Sequence, residues 1–73
     1  MRVKYRDTIR LCTSCTIVLD SQSINLSYYG CDSVSAVFHS SDDAISAYNQ
    51  LLCDGYVDLD TYYDCDLVAQ PAG

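Results

Sequence analysis

Apolar and polar residues alternate with period two along much of this chain, and the places where the alternation fails mark its turns. From Val3 the odd positions run Val3, Tyr5, Asp7, Ile9, Leu11, Thr13, Cys15, Ile17 and Leu19. The even positions begin with Arg2, Lys4, Arg6 and Arg10 and continue with Cys12, Ser14 and Thr16. Successive side chains of a strand point to opposite faces, so this reads as an apolar face backed by one that is basic and then small and polar. Asp7 breaks the apolar row, which predicts two strands, about 2–6 and 8–19, or one strand bulged near Asp7. Asp20-Ser21-Gln22-Ser23 suits a four-residue turn, and Ile24, Leu26 and Tyr28 resume the alternation up to Gly30, completing a hairpin. Val34, Ala36 and Phe38 predict a short third strand.

The period then becomes helical. Ser40 sets a hydroxyl three residues before Asp43, and Asp42 and Asp43 suit the positive end of a helix dipole. Ala44, Ile45, Ala47, Tyr48, Leu51 and Leu52 recur at helical spacing, and Asp54-Gly55 supplies a left-handed stop. The prediction is a helix over 41–54 with one apolar face for the sheet.

After Gly55 the alternation returns. Val57, Leu59, Thr61, Tyr63, Cys65 and Leu67 fall on one side, and Tyr56, Asp58, Asp60, Tyr62, Asp64, Asp66 and Val68 on the other. As a single strand, this segment gathers four carboxylates on one face, successive ones about 6.6 Å apart at roughly 3.3 Å per residue. The alternative is a strand over 56–60 followed by a short helix from Thr61 capped by Asp60, which scatters them. The end of the chain, Ala69-Gln70-Pro71-Ala72-Gly73, has no pattern and reads as a fraying tail beyond a single domain of residues 1–68.

Seventy-three residues hold one domain and leave no room for a deep cleft, and no apolar run reaches the roughly 18 residues of a membrane span. The expected fold class is α+β: a small antiparallel sheet of three to five strands with one helix packed on one face, in the order β-β-β-α-β. Charge is distributed very unevenly. Residues 1–10 carry all four bases, Arg2, Lys4, Arg6 and Arg10, against Asp7; residues 11–73 carry nine Asp and no base, and the net charge is −6. A segment so one-sided must turn its negative field to water or to a partner. Two readings of the C-terminal Asp row follow. In the favoured one, the last strand pairs with the first and sets Asp58, Asp60, Asp64 and Asp66 against Arg2, Lys4, Arg6 and Arg10, each pair contributing about 0.2–1 kcal/mol. In the other, the row faces outward at a spacing near that of phosphates along a nucleic-acid strand.

Specific chemistries find little support. Five cysteines, Cys12, Cys15, Cys31, Cys53 and Cys65, are an odd number for a disulfide framework and read as reduced thiols. The Cys12-Thr13-Ser14-Cys15 pair lies in an alternating strand with no second ligand pair at short spacing, so zinc, drawn as Cys12, Cys15, Cys31 and one further ligand, is a third-ranked reading. The run from Asp58 lacks the Gly and Glu of a calcium loop. His39 has no residue to orient it as a base, and three glycines make no phosphate loop, so no enzyme activity and no cofactor are expected. Asp7 and Arg10 interrupt what an export signal needs to be apolar, which places the protein in the cytoplasm, the host's cytoplasm if it is viral. Four bases against ten carboxylates argue against direct binding of nucleic acid, and no membrane partner is expected.

Tyrosine is in excess: seven, with one Phe and no Trp. Tyr serves interfaces, where its ring anchors and its hydroxyl stays paired. Tyr29 and Tyr62 are the outward members of adjacent Tyr pairs. The expected function is therefore non-enzymatic binding of a basic protein surface through Asp58, Asp60, Tyr62, Asp64, Asp66, Tyr29, Asp42 and Asp43. In size, charge and lack of catalytic machinery the chain resembles small stand-alone phage inhibitors of host nucleic-acid-handling or defence proteins, some of which imitate DNA. That resemblance, one of overall character, implies an inhibitor of such a protein and carries no residue role. The second expectation is a self-associating subunit, a homodimer or complex-stabilising element.

Overall fold

The computed structural model describes residues 1–28 and 33–69. Its elements are β1 (Arg2–Tyr5), β2 (Thr8–Val18), β3 (Ser23–Tyr28), β4 (Ser33–Val37), α1 (Ser41–Asp54), β5 (Tyr56–Asp58), a single 3-10 turn (Leu59–Thr61) and β6 (Asp66–Ala69). The strands form one sheet in the order β5-β1-β2-β3-β4-β6. Every neighbouring pair is antiparallel except β1 and β5, which run parallel with Val3 beside Val57. The class is α+β, but the expected antiparallel sheet of three to five strands is corrected to six strands in a mixed sheet. Two breaks account for the extra strands: the basic segment folds back at Arg6-Asp7, and the segment after Gly55 divides into β5 and β6. The parallel contact follows because α1 carries the chain from β4 across the sheet to β1's free edge.

Parity explains why the long apolar row of the N-terminal segment does not stay on one face. Arg6 and Asp7 both take positive φ, 50° and 62°, the conformation of a two-residue type I′ hairpin. Tyr5 then pairs with Thr8, and Val3 with Arg10, so odd positions before the turn share a face with even positions after it. The register shifts once more between Cys12 and Ser14, where Thr13 is the extra residue of a bulge. Cys15 and Ile17 consequently return to the helix side beside Leu26 and Ile24. Ile9 and Leu11, between the two switches, face away from the helix and stand 55% and 61% exposed.

The helix keeps its expected bounds. Ser40 Oγ accepts from Asp43 N at 3.3 Å as the N-cap, and Gly55 at φ 69° closes the last turn by donating its N–H to Leu51 O at 2.9 Å. Ala44, Ala47 and Leu51, at helical spacing, are fully buried; the two alanines bring the helix axis close to the sheet. They pack over a floor of Val3, Cys12, Ile24, Leu26, Ala36 and Val57, with Phe38 and Leu59 at its margin. Among the described residues no element packs on the opposite sheet face, which carries many small polar residues, with Ser35 Oγ donating to Asn25 Oδ1 at 2.8 Å. Both edge strands are short and carry a carboxylate, Asp58 on β5 and Asp66 on β6, which discourages edge-to-edge pairing. Among the described residues no helix is long and apolar enough to cross a membrane.

Candidate interaction surface

The single strand over 56–68 does not form, and with it falls the shared face expected for the C-terminal carboxylates. Asp58 ends β5; its Oδ1 accepts from Asp60 N at 3.0 Å and its main-chain oxygen accepts from Thr61 Oγ1 at 2.8 Å, turning the chain into the 3-10 turn. Residues 59–65 then run from one edge of the sheet to the other, where β6 pairs with β4. The scattering alternative is the nearer one, with Asp58 as cap in place of Asp60. Local hydrogen bonding outcompetes the ladder because an Asx-type turn satisfies backbone donors that an edge strand leaves open.

Of the expected cross-strand ion pairs one is present. Lys4 Nζ lies 3.5 Å from Asp58 Oδ2 and 3.8 Å from Asp7 Oδ1, and the negative charge of Asp58 raises the Lys4 pKa. Arg2, Arg6 and Arg10 sit instead over tyrosine rings: Tyr56 at 5.8 Å, Tyr5 at 5.2 Å and Tyr28 at 5.1 Å from ring centroid. Sequence reasoning missed these contacts because it matched bases to acids along one ladder; the Tyr excess was the available signal.

Asp60 serves the fold. Its Oδ1 accepts from Arg6 N at 2.8 Å and its Oδ2 from Asp7 N at 3.3 Å, so it clamps the strained hairpin, and those bonds hold its carboxyl below the usual aspartate range. A carboxyl with a depressed folded pKa stabilises fully above its unfolded value, and that contribution is lost as pH falls through the folded one. Asp60→Asn is expected to melt lower than the parent at neutral pH, with the gap closing below about pH 4, in thermal melts across that range.

The remaining residues are brought together by the crossing segment. Tyr62 is half-buried, its ring edge-on to Phe38 at 5.4 Å and its hydroxyl 3.3 Å from Ser46 Oγ on α1. Tyr63, rather than Tyr62, is the exposed member of the pair at 75%, and its ring meets His39 edge-on at 5.2 Å. These two contacts hold the segment against the start of α1, where Asp42 and Asp43 occupy the first turn. Asp64 lies in a turn at φ 57° and is exposed, as is Asp66. Burial pushes the Cys65 thiol up to about 12, and the negative charges of Asp66, Asp60 and Asp43 add to it. Among the described residues Asp42, Asp43, Asp64 and Asp66 take part in no ion pair. The 3-10 turn thus breaks the expected row of carboxylates.

Tyr29 lies outside the described residues, as do Cys31 and the tail from residue 70. Cys12, Cys15, Cys53 and Cys65 are free thiols, and among the described residues no three His, Cys, Asp or Glu side chains are grouped to hold a metal ion. Compared with models of known protein families, with curated proteins and with solved structures, the chain matches none of them.

Proposed function

We propose that this protein is a non-enzymatic, acidic interaction protein that binds a positively charged protein surface, with Asp42, Asp43, Asp64 and Asp66 as the electrostatic contacts and Tyr63 as the anchor. The observation that carries this reading is a three-quarters exposed tyrosine, Tyr63, followed in the chain by Asp64 and Asp66, which like Asp42 and Asp43 take part in no ion pair among the described residues. An exposed aromatic ring on a surface with unpaired charges suits an interface in which the ring is buried and the charges steer approach. Asp58 and Asp60, engaged within the fold, move from the contact set to the scaffold that presents it. Inhibition of a nucleic-acid-handling or defence protein is one use of such a surface, since those proteins expose the cationic grooves it would fill.

The test is capture of basic partners by the tagged protein at low and high salt, beside a variant with Asp42, Asp43, Asp64 and Asp66 all changed to Asn and a second with Tyr63→Ala. Salt-sensitive capture, lost by at least about tenfold in the fourfold variant, is the expected result. Capture indifferent to both salt and the four substitutions would sink the proposal. Self-association is the second reading, favoured by Ile9 and Leu11 lying exposed together on the uncovered face; light scattering at rising concentration distinguishes it.

A further inference from the structure

The helix side of the sheet also holds a pocket of about 270 Å³, lined by Val3, Tyr5, Arg6, Thr8, Arg10, Tyr28 and Leu67. Leu67 belongs to the last strand and Val3 to the first, so the sheet curls far enough for strands separated in its order to face a common space. Val3 and Tyr28 are 1% and 5% exposed and form its floor.

Its cations are what set it apart. In a chain with ten acids and four bases, Arg6 and Arg10 form no ion pair among the described residues. The carboxylate of Asp60, next to Arg6, is taken up by the Arg6 and Asp7 main-chain N–H groups. Each guanidinium instead lies over a tyrosine ring of the pocket, Arg6 on Tyr5 and Arg10 on Tyr28. A guanidinium held over a ring keeps donors at its rim, in the fork geometry that matches a carboxylate or phosphate. The Thr8 hydroxyl adds another donor, and Val3, Leu67 and the two rings offer apolar walls.

We propose that this pocket binds a small aromatic oxyanion, one ring or heterocycle bearing a phosphate or carboxylate, with Arg6 and Arg10 on the oxygens and the ring against Tyr28 and Leu67. Size and charge favour a small ligand. The volume falls just below the roughly 300 Å³ at which sites for drug-sized molecules begin. A net charge of −6 opposes a polyanion, while screening over about 8 Å at physiological ionic strength leaves short-range contacts to decide for a small ligand. The site uses residues separate from the acidic surface, so either can fail without the other.

The experiment is NMR titration of the full chain with phenyl phosphate, with inorganic phosphate and phenol as its two halves. Benzoate and adenosine monophosphate serve as further arms that identify which headgroup and which ring are preferred. Phenyl phosphate is expected to bind with a dissociation constant of roughly high-micromolar to low-millimolar order and to shift the resonances of Val3, Tyr28 and Leu67. Arg10→Gln and Arg6→Gln are each expected to weaken it about tenfold, and Arg10→Lys less, because the charge remains while the fork is lost. Thr8→Val, at an exposed position, keeps the fold and gives a smaller loss. No binding of any aromatic arm, equal affinity for inorganic phosphate, or unchanged affinity in a folded Arg6→Gln/Arg10→Gln variant would each overturn the proposal.

Discussion

Leu51→Ala is expected to bring the protein to the edge of unfolding at room temperature. Leu51 is fully buried, between the sheet and the last turns of α1, and its main-chain oxygen accepts the Gly55 N–H that closes the helix. Deleting a buried leucine to alanine costs about 2–5 kcal/mol, the transfer of the lost methyls plus the cavity left behind. The neighbouring Ala44 and Ala47 already bring backbone close to backbone, so the site has little freedom to collapse and the upper part of that range applies. Against this stands a stability of roughly 4–11 kcal/mol for a chain of 73 residues. Urea unfolding followed by circular dichroism measures the loss. Leu52→Ala, one residue on and exposed, is the control that leaves the midpoint nearly unchanged. Equal effects at the two positions would contradict the burial pattern.

Phe38→Ala is the second large effect, and it reaches the proposed contact surface as well as the core. Phe38 is 3% exposed, sits between β4 and the helix cap, and receives the edge of the Tyr62 ring. Truncation of such a phenylalanine costs about 3–5 kcal/mol, part of it the aromatic pair itself. The loss also removes one of the contacts that hold residues 59–65 along the molecule, so Tyr63 and Asp64 lose part of what fixes their placement. Where the variant remains folded, amide hydrogen exchange in residues 59–66 is expected to rise more than in β2 and β3. Partner capture should fall with it. Phe38→Leu, which retains apolar volume without a ring, separates the two parts: most of the stability returns while the edge contact to Tyr62 does not. If exchange rose uniformly over the sheet, Phe38 would be a core residue only.

Legibility followed the range of the interactions. The helix was readable to the residue because its signals, the Ser40 cap, the 3.6-residue apolar recurrence and the Gly55 stop, act within a few positions. The hairpin of β2 and β3 was readable within one residue at its turn, for the same reason. The break at Asp7 was readable as a place, as two strands or a bulge, but the tight two-residue turn at Arg6-Asp7 was not; what holds it is Asp60, more than fifty positions away. The change of parity across that turn and the bulge at Thr13 were not read from the sequence, and they decide that Ile9 and Leu11 face water while Arg10 turns into the pocket. For the surface, sequence singled out Asp42, Asp43, Asp64 and Asp66, but named Tyr62 where Tyr63 is the exposed ring.

The sequence by itself determined the class of element at most positions, the crowding of all cations into ten residues, and the excess of Asp and Tyr over every partner they could find locally. Only the tertiary structure decided which charges meet. Its reason is geometric: alternation specifies two faces for each strand, but which face is buried, and which strand lies beside which, depends on turns and bulges that shift parity by one. That shift leaves Lys4 as the only base paired with an acid among the described residues and stacks three arginines on tyrosines.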